Sequence, residues 1–171
     1  MTSDIIVAGD LTIPTADLYD AHHARLQVCI LAFRSFGRRL AFCGPCVTLR
    51  CFEDHTPVLA CLQEPGAGRV LVVDAGGSLR VGVMGDRLAA IAVASGWTGV
   101  IINGAIRDSM GIDALALGVK ALGTTARRGW APNRSAQEVP LEFGEMAIRS
   151  GDWIYADPDC VICSAEPLTA I

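Results

Sequence analysis

Two stretches decide how this chain folds: Gly85-Asp86-Arg87-Leu88 and, further along, Asn103-Gly104-Ala105-Ile106-Arg107-Asp108. From residue 86 to residue 95 the apolar side chains recur at helical spacing, and Gly96 ends the run, which predicts a helix. Residues 100–102 are all β-branched, which predicts a short buried strand closed by a turn at Asn103-Gly104. The chain therefore runs out along a helix and returns along a strand.

The lengths of these two elements predict where their charged ends meet. A helix of about ten residues rises about 15 Å, and a strand of roughly five or six residues covers the same distance in the opposite direction. Asp86 is therefore expected beside Arg107 and Asp108, near the glycine loop that contains Gly76-Gly77. Two carboxylates and one guanidinium at the carboxyl end of a strand can hold a divalent cation together with an anionic oxygen substrate.

Each of these charged residues also has a purely structural interpretation. An Asp at the start of a helix commonly caps it and interacts with the positive end of the helix dipole. Arg107 and Asp108 could equally form a surface ion pair on a turn, which contributes little stability. The case for a functional site depends on both of them meeting Asp86 at one edge of the sheet.

Length and charge limit what the protein can be. A chain of 171 residues fits one domain, residues 1–171, which buries about two thirds of the surface of the unfolded chain. A net charge of −4 and an isoelectric point near 5.3 argue against direct nucleic-acid binding and favour a cytoplasmic protein. No segment reaches the roughly 18 consecutive apolar residues of a membrane helix. The start Met1-Thr2-Ser3-Asp4 lacks the basic segment of an export signal, so we expect neither secretion nor membrane insertion.

The apolar content is high for a monomer of this size. Apolar residues make up 51% of the chain and the mean hydropathy is +0.41, so part of the surplus is expected in a subunit interface. Seven cysteines form an odd set in a chain without an export signal, which predicts reduced, mostly buried thiols and no structural disulfide.

The rest of the chain alternates helix and strand signals. Helices are predicted over residues 15–24 with Thr15 as N-cap, from Thr56-Pro57 to a stop at Pro65-Gly66, and over residues 112–117. Strands are predicted as a pair within residues 40–52 around a turn at Gly44-Pro45, then over residues 69–74, 120–125, 153–156 and 160–163, with a hairpin over 139–148. The polar segment 127–137 is expected to be a mobile loop. This alternation predicts an α/β domain of layered sheets and helices.

Two C-x-x-C motifs raise the alternatives of redox chemistry and zinc binding. Cys43-Gly44-Pro45-Cys46 has the form of a thioredoxin-type motif, but that chemistry needs a thiol at a helix N-terminus and the residues that follow favour a strand. With Cys160-Val161-Ile162-Cys163 it could form a four-thiolate zinc site. Cysteines three apart on a strand point to opposite faces, which disfavours a shared zinc, and the strand signal itself disfavours redox catalysis.

The remaining candidates favour structural roles. The glycine pairs Gly66-Ala67-Gly68 and Gly76-Gly77 match neither a dinucleotide fingerprint nor a Walker loop, which disfavours nucleotide binding. The three histidines, His22, His23 and His55, have no Cys or Glu partner at ligand spacing, so surface or helix-end positions are expected. The segment Asp157-Pro158-Asp159 is typical of a turn.

Four segments together resemble the regulator of ribonuclease activity A (RraA) family, which also contains the 4-hydroxy-4-methyl-2-oxoglutarate aldolases. They are Arg69–Ser78, Gly85-Asp86, Asn103–Asp108 and Gly151–Asp157, and the similarity runs from about Thr15 to Ser164. The resemblance implies a three-layer β/β/α swivelling-domain fold, which is similar to that of phosphohistidine domains. It also implies a homotrimer with sites between neighbouring subunits, which would account for the apolar surplus.

The spacing of Asp86, Arg107 and Asp108 is similar to the D-x20-R-D element of class II, metal-dependent pyruvate aldolases that also decarboxylate oxaloacetate. The resemblance implies that Asp108 ligates Mg²⁺ or Mn²⁺ and that Arg107 binds the carboxylate of a pyruvoyl substrate. It implies that backbone N–H groups of Gly85, Asp86, Arg87 and Leu88 hold the same group. Asp86 would position or deprotonate a metal-bound water.

The chain departs from the aldolase pattern at two places. Gly111 stands where aldolases often carry an acidic residue, and the sequence ends at Ile171 without the extension by which longer members donate acidic residues to a neighbour. The same family includes a competing class, a non-catalytic regulator that binds and inhibits ribonuclease E. That branch typically lacks the metal-binding Asp, so Asp108 favours the enzyme. The substrate stays open among 4-hydroxy-4-methyl-2-oxoglutarate, 4-carboxy-4-hydroxy-2-oxoadipate, oxaloacetate and another 2-oxo acid with a pyruvoyl end.

Overall fold

A computed structural model describes residues 4–171, so Met1, Thr2 and Ser3, on which part of the export-signal prediction depends, lie outside the described residues. The described residues contain four α-helices: α1 Thr15–His22, α2 Thr56–Gln63, α3 Asp86–Ala94 and α4 Ser109–Asp113, with a 3-10 turn over His23–Arg25. The strands are β1 Gly9–Asp10, β2 Gln27–Val28, β3 Arg34–Phe36, β4 Phe42–Arg50, β5 Val70–Asp74, β6 Gly99–Ile106, β7 Gly118–Thr124, β8 Ala136–Gln137, β9 Leu141–Phe143, β10 Met146–Ile148, β11 Trp153–Ala156 and β12 Val161–Ser164. None of the helices in residues 4–171 combines the length and apolarity needed to cross a bilayer.

The centre of the molecule is a parallel sheet with strand order β4-β5-β6-β7. The run from Val70 to Val73 in β5 is fully buried, as expected for a strand covered on both faces. Leu71 and Val73 face a core shared with helices α2 and α3, whereas Val70 and Val72 face a second core shared with β9–β12. Helices, parallel sheet and a second β layer therefore stack in that order, and the prediction of a layered α/β fold is confirmed.

Strand β4 joins the two β layers. Its first half pairs antiparallel with β11 from Phe42 to Pro45, and its second half pairs parallel with β5 from Cys46 to Arg50. The predicted turn at Gly44-Pro45 is therefore wrong. Glycine is needed at residue 44 because a Cβ there would lie 2.6 Å from the carbonyl oxygen of Gly68, so the local turn signal reflects a close backbone approach.

The predicted turn at Asn103-Gly104 is also wrong, because β6 continues through it to Ile106. The register against β7 shifts between Ile102 and Ala105, which is a bulge within the strand. Asn103 occupies the bulge: its side-chain amide donates to Oδ1 of Asp74 at 2.9 Å, and its carbonyl accepts from the N–H of Gly77 at 3.0 Å. The longer strand carries the chain directly into Arg107.

Helix α1 begins differently from the prediction. The N-cap position is Pro14, and Thr15 is the first helical residue. Its N–H and hydroxyl donate to the carboxylate of Asp157 at 2.7 and 2.9 Å. The same carboxylate accepts the N–H groups of Asp159 and Cys160, so the prediction of a turn there is confirmed and the turn also anchors α1.

All seven cysteines have free thiols, and six of them are buried. Cys43 and Cys46 both lie on the continuous strand β4, and not at a helix N-terminus, and they belong to different hydrophobic clusters on its two faces. Burial raises the pKa of Cys43 to about 11 and that of Cys46 to about 12. Both thiols are therefore protonated at neutral pH, the opposite of what a redox-active cysteine requires.

Candidate active site

A cavity of about 430 Å³ opens at the end of β6 beside the first turn of α3. Its walls carry the charged residues Asp86, Arg87, Arg107, Asp108 and Arg128 together with Gly82, Gly85, Leu88, Ile91, His55, Leu59 and Gln63. The expected meeting of Asp86, Arg107 and Asp108 is thus confirmed. Arg107 and Asp108 also border a second cavity of about 630 Å³ on the side of α4, so they form the wall between the two spaces.

A short extended segment before α3 holds the helix start against the end of β6. Gly82 pairs with Ala105 in a parallel bridge, and the N–H of Val83 donates to the carbonyl of Ala105 at 3.0 Å. One step further along, the N–H of Arg107 donates to the carbonyl of Met84 at 2.9 Å. Main-chain bonds therefore fix the distance between the beginning of α3 and the Arg107–Asp108 pair.

Glycine at residue 85 leaves the space that the carboxylate of Asp108 occupies. A Cβ at Gly85 would lie 2.6 Å from Oδ2 of Asp108 and 3.3 Å from Cγ of Arg107. The backbone at Gly85 is extended, with φ −121° and ψ −174°, a conformation open to any residue. Glycine is therefore needed here for space and not for its conformational freedom.

Asp108 has a left-handed backbone, with φ 56° and ψ 41°. That conformation costs an L-residue about 1–2 kcal/mol, although Asp tolerates it better than most. Asp108 occupies the N-cap position of α4 without a side-chain cap bond, and its Oδ2 instead accepts from Nε of Arg107 at 3.2 Å. The strained turn therefore directs the carboxylate to the cavity, a pattern that is common at functional sites.

The first turn of α3 offers backbone N–H groups to the same cavity. The first intrahelical bond runs from the N–H of Ala89 to the carbonyl of Gly85 at 3.0 Å. The N–H groups of Asp86, Arg87 and Leu88 therefore precede the helical ladder and have no partner within the helix. Together with the helix dipole they favour an anionic group at this end.

Gly111 and Asp86 are in direct contact across the second helix start. A Cβ at Gly111 would lie 2.7 Å from both Cβ and Oδ2 of Asp86. An acidic residue at 111, as expected in aldolases from the resemblance, would have to displace Asp86 from its present position. Glycine at position 111 therefore leaves the space that the side chain of Asp86 occupies in this chain.

The donor set of the cavity suits a hard cation that keeps several waters. Mg²⁺ is commonly bound by one or two carboxylates plus water and substrate oxygens, and Asp86 and Asp108 supply two carboxylates here. Within residues 4–171 no group of three or more His, Cys, Asp or Glu side chains could hold a metal. The two carboxylates, with water and substrate oxygens as further ligands, could therefore hold a hard divalent cation.

Several cavity residues were missed by the reasoning from sequence. His55 was expected at the surface or at a helix end; it takes the N-cap position of α2, and it also borders the cavity. Its Nδ1 is buried without a hydrogen-bond partner in the described part of the chain. Gln63 and Arg128 come from α2 and from the loop after β7, and no local signal marks them, because long-range packing alone brings those segments to α3.

The layered fold and this cavity define a class: an α/β protein with a charged cavity between a strand end and a helix start. The chain belongs to the RraA-like family, described as Aldolase/RraA, whose family model matches residues 15–163. It is 46% identical over 154 residues to a protein of Laribacter hongkongensis (strain HLHK9) named "Putative 4-hydroxy-4-methyl-2-oxoglutarate aldolase", covering 90% of this chain and 97% of that one.

Two solved structures share the fold at high similarity. One is described as an S-adenosylmethionine: 2-dimethylmenaquinone methyltransferase from Geobacillus kaustophilus HTA426, with 44% identity, a TM-score of 0.87 and coverage of 91% of this chain and 97% of that one. The other is the RNA-processing inhibitor RraA from Thermus thermophilis, with 35% identity, a TM-score of 0.89 and coverage of 94% and 98%. These three relatives have three different functional names, so the function of this chain has to be argued from the residues of its site.

Proposed function

We propose that this protein is a divalent-metal-dependent carbon–carbon lyase that releases pyruvate from 4-hydroxy-4-methyl-2-oxoglutarate and also decarboxylates oxaloacetate. The observation that carries the proposal is the meeting of Asp86, Arg107 and Asp108 in one cavity with the first turn of α3. The relatives named as aldolases, at 40–46% identity over at least 90% of this chain, support it.

Arg107 and the start of α3 would bind the pyruvoyl end of the substrate. The guanidinium is about one-third exposed and can form a bidentate pair with a carboxylate, which fixes the plane of that carboxylate. The N–H groups of residues 86–88 lie at the same end and would donate to the same moiety. A 2-oxo acid would thus be held by its carboxylate with its reacting carbons directed into the cavity.

Asp108 would bind the cation, and Asp86 would accept the proton that the substrate loses. When bound, the metal supplies Lewis-acid stabilisation of the negative charge that develops on the 2-oxo oxygen. Cleavage removes the proton of the 4-hydroxyl group and breaks the bond between C3 and C4, and C3 then takes up a proton, so two pyruvate molecules result. Asp86 would position a water molecule and accept the proton.

A subunit interface next to the cavity belongs to the same proposal. Met110 is 88% exposed and Trp130 is 84% exposed, and both follow cavity residues in the chain. Burial of these two side chains by another copy would remove their apolar surface from water. We therefore expect a cytoplasmic homotrimer in which one domain per chain contributes to sites between neighbours, checked by a solution mass near three times 18.0 kDa.

A lactate-dehydrogenase-coupled assay of pyruvate release tests the proposal. We expect release from 4-hydroxy-4-methyl-2-oxoglutarate and from oxaloacetate with Mg²⁺ or Mn²⁺, and loss of release with EDTA. Asp108→Ala should abolish it and Arg107→Ala should reduce it strongly, whereas Asp17→Ala and Arg134→Ala, at exposed positions away from the cavity, should not. Wild-type protein that releases no pyruvate above the spontaneous background would overturn the proposal.

A second candidate function is favoured by the Thermus relative, which is described as an RNA-processing inhibitor. In that case the chain would bind ribonuclease E through an outer surface, without using the cavity. Capture of purified ribonuclease E by this protein, unchanged in Asp108→Ala, would support it. Because the surfaces differ, the two functions are separable by that single variant.

A further inference from the structure

Arg128 lies in the wall of the cavity but has no part in the chemistry assigned above. It belongs to the segment after β7 that the sequence predicts to be a mobile loop. Three arginines, at 87, 107 and 128, face two carboxylates in this cavity, so the space carries more positive than negative charge. Arg107 pairs with Asp108, whereas Arg87 and Arg128 form no ion pair with any described residue, and of these two only Arg128 lies outside α3.

The main chain on both sides of Arg128 is fixed. Before it, the carbonyl of Arg127 accepts from the N–H of Gly82 at 2.9 Å, in the segment that leads into α3. After it, Gly129 packs so closely that a Cβ there would lie 2.3 Å from the carbonyl oxygen of Glu53. Arg128 is therefore held between the start of α3 and the segment that leads into α2.

Hydrogen bonds to Asp54 hold this segment, and a cation–π contact with Trp130 holds the Arg128 side chain. Asp54 accepts hydrogen bonds from the N–H groups of Thr56 and Asn133, at 2.9 Å each. Burial opposes the charge on Asp54, but these bonds outweigh it and lower the pKa of the carboxyl. The guanidinium of Arg128 lies 4.4 Å from the ring centre of Trp130, a cation–π distance that restricts its rotamers.

The cavity that Arg107 and Arg128 both line also has apolar walls. Leu59, Leu88 and Ile91 supply apolar surface, and the imidazole of His55 borders the same space. An Arg that is oriented by its neighbours and lacks a carboxylate partner is suited to bind one from a ligand. A substrate with a carboxylate at each end and a small apolar branch matches this lining.

We propose that Arg128 is a specificity-determining residue that binds the distal carboxylate of a five-carbon 2-oxo dicarboxylate, while Arg107 binds the pyruvoyl end. This inference rests on the proposed function for the assignment of the pyruvoyl end. It goes further by assigning the residue that binds the second carboxylate and so distinguishes these substrates from pyruvate-like monocarboxylates. The branch carbon of the substrate would then contact the apolar side chains of α2 and α3.

Calorimetric binding of pyruvate and of 2-oxoglutarate in the presence of Mg²⁺ tests the assignment without any turnover. Both ligands share the pyruvoyl end, and only 2-oxoglutarate has the distal carboxylate. We expect wild type to bind 2-oxoglutarate roughly tenfold more tightly or better, which corresponds to about 1.4 kcal/mol. Arg128→Gln should remove that preference and leave pyruvate binding within about twofold, and Arg134→Gln, on the same loop but away from the cavity, should retain it.

Three results would overturn the assignment. Wild type could bind both ligands equally, Arg128→Gln could weaken pyruvate binding as much as 2-oxoglutarate binding, or Arg87→Gln could cause the selective loss instead. Failure of the proposed function would look different from failure of this assignment. In that case no pyruvate is released from 4-hydroxy-4-methyl-2-oxoglutarate, but wild type still prefers 2-oxoglutarate over pyruvate and Arg128→Gln still lacks that preference. With an active enzyme, Arg128→Gln should raise KM for that substrate.

Discussion

Replacement of Gly85 by alanine should separate catalysis from stability. The added Cβ would lie 2.6 Å from Oδ2 of Asp108, about 0.8 Å closer than the 3.4 Å at which ordinary van der Waals contact begins. The carboxylate must move by nearly that distance and would lose its 3.2 Å contact with Nε of Arg107. A misplacement of about 1 Å at a reacting centre can cost roughly 100-fold in rate, so we expect kcat/KM for pyruvate release to fall about 100-fold.

The fold should tolerate the same change. The backbone at Gly85 is extended, so alanine adds no conformational strain, and the loss of a good N-cap residue costs about 1 kcal/mol or less. Lower entropy of the unfolded chain offsets part of that loss. Thermal unfolding should therefore shift by only a few degrees. Gly123→Ala is the matched control, because its Cβ would meet only Leu79 at 3.4 Å and should leave the rate unchanged.

The reasoning would be refuted by a Gly85→Ala variant with wild-type kcat/KM. It would also be refuted by a variant that loses activity only in proportion to a large loss of folded protein. In the first case Asp108 would have to move without consequence, which removes the carboxylate from the proposed chemistry. In the second case the glycine would serve the fold and not the site.

Two further predictions concern Asp86 and Asp54, the second of which accepts a hydrogen bond from Asn133 in the loop after β7. Gly111→Ala places a Cβ 2.7 Å from Cβ of Asp86, so we expect pyruvate release to fall by roughly tenfold or more. The melting temperature should stay level, because alanine favours helix α4 by up to about 1 kcal/mol. Unchanged pyruvate release would show that the position of Asp86 does not matter for the reaction. Asp54 has a lowered pKa in the folded protein, so its stabilising effect is present above the ordinary Asp pKa of about 3.9 and is lost as the pH falls through the lower folded value. Chemical denaturation from pH 2 to 7 should show that Asp54→Asn is less stable than wild type at neutral pH and depends less on pH below about 4; parallel curves for the two proteins would contradict this.

Local patterns in the sequence predict those helices and strands whose apolar residues are the ones that are buried in the folded protein. The buried run of β5 and the apolar periodicity of α3 both report packing that occurs in the folded protein. Because α3 leads directly into β6, their lengths also bring Asp86 to Arg107. The core of the site is therefore encoded over a short stretch of chain.

Tertiary contacts explain where the sequence patterns mislead. Gly44 and Gly104 are small because other backbone and side-chain atoms approach them, and a Cβ at Gly104 would lie 2.8 Å from Cβ of Ala75. Neither residue makes a turn, yet their local signals are those of a turn. Arg128 is invisible to any local pattern, since its position depends on contacts of its neighbours with Gly82 and Glu53.

Strand β4 belongs to both β layers, and this affects how the protein unfolds. Residues Phe42–Pro45 and Cys46–Arg50 are one continuous segment, so neither layer can open by losing a strand without pulling on the other. Fraying should begin at the peripheral two-residue strands β1, β2 and β8 and stop at this shared seam. Amide protons along β4 should accordingly be among the last to exchange with solvent, and the two halves should melt as a single cooperative unit.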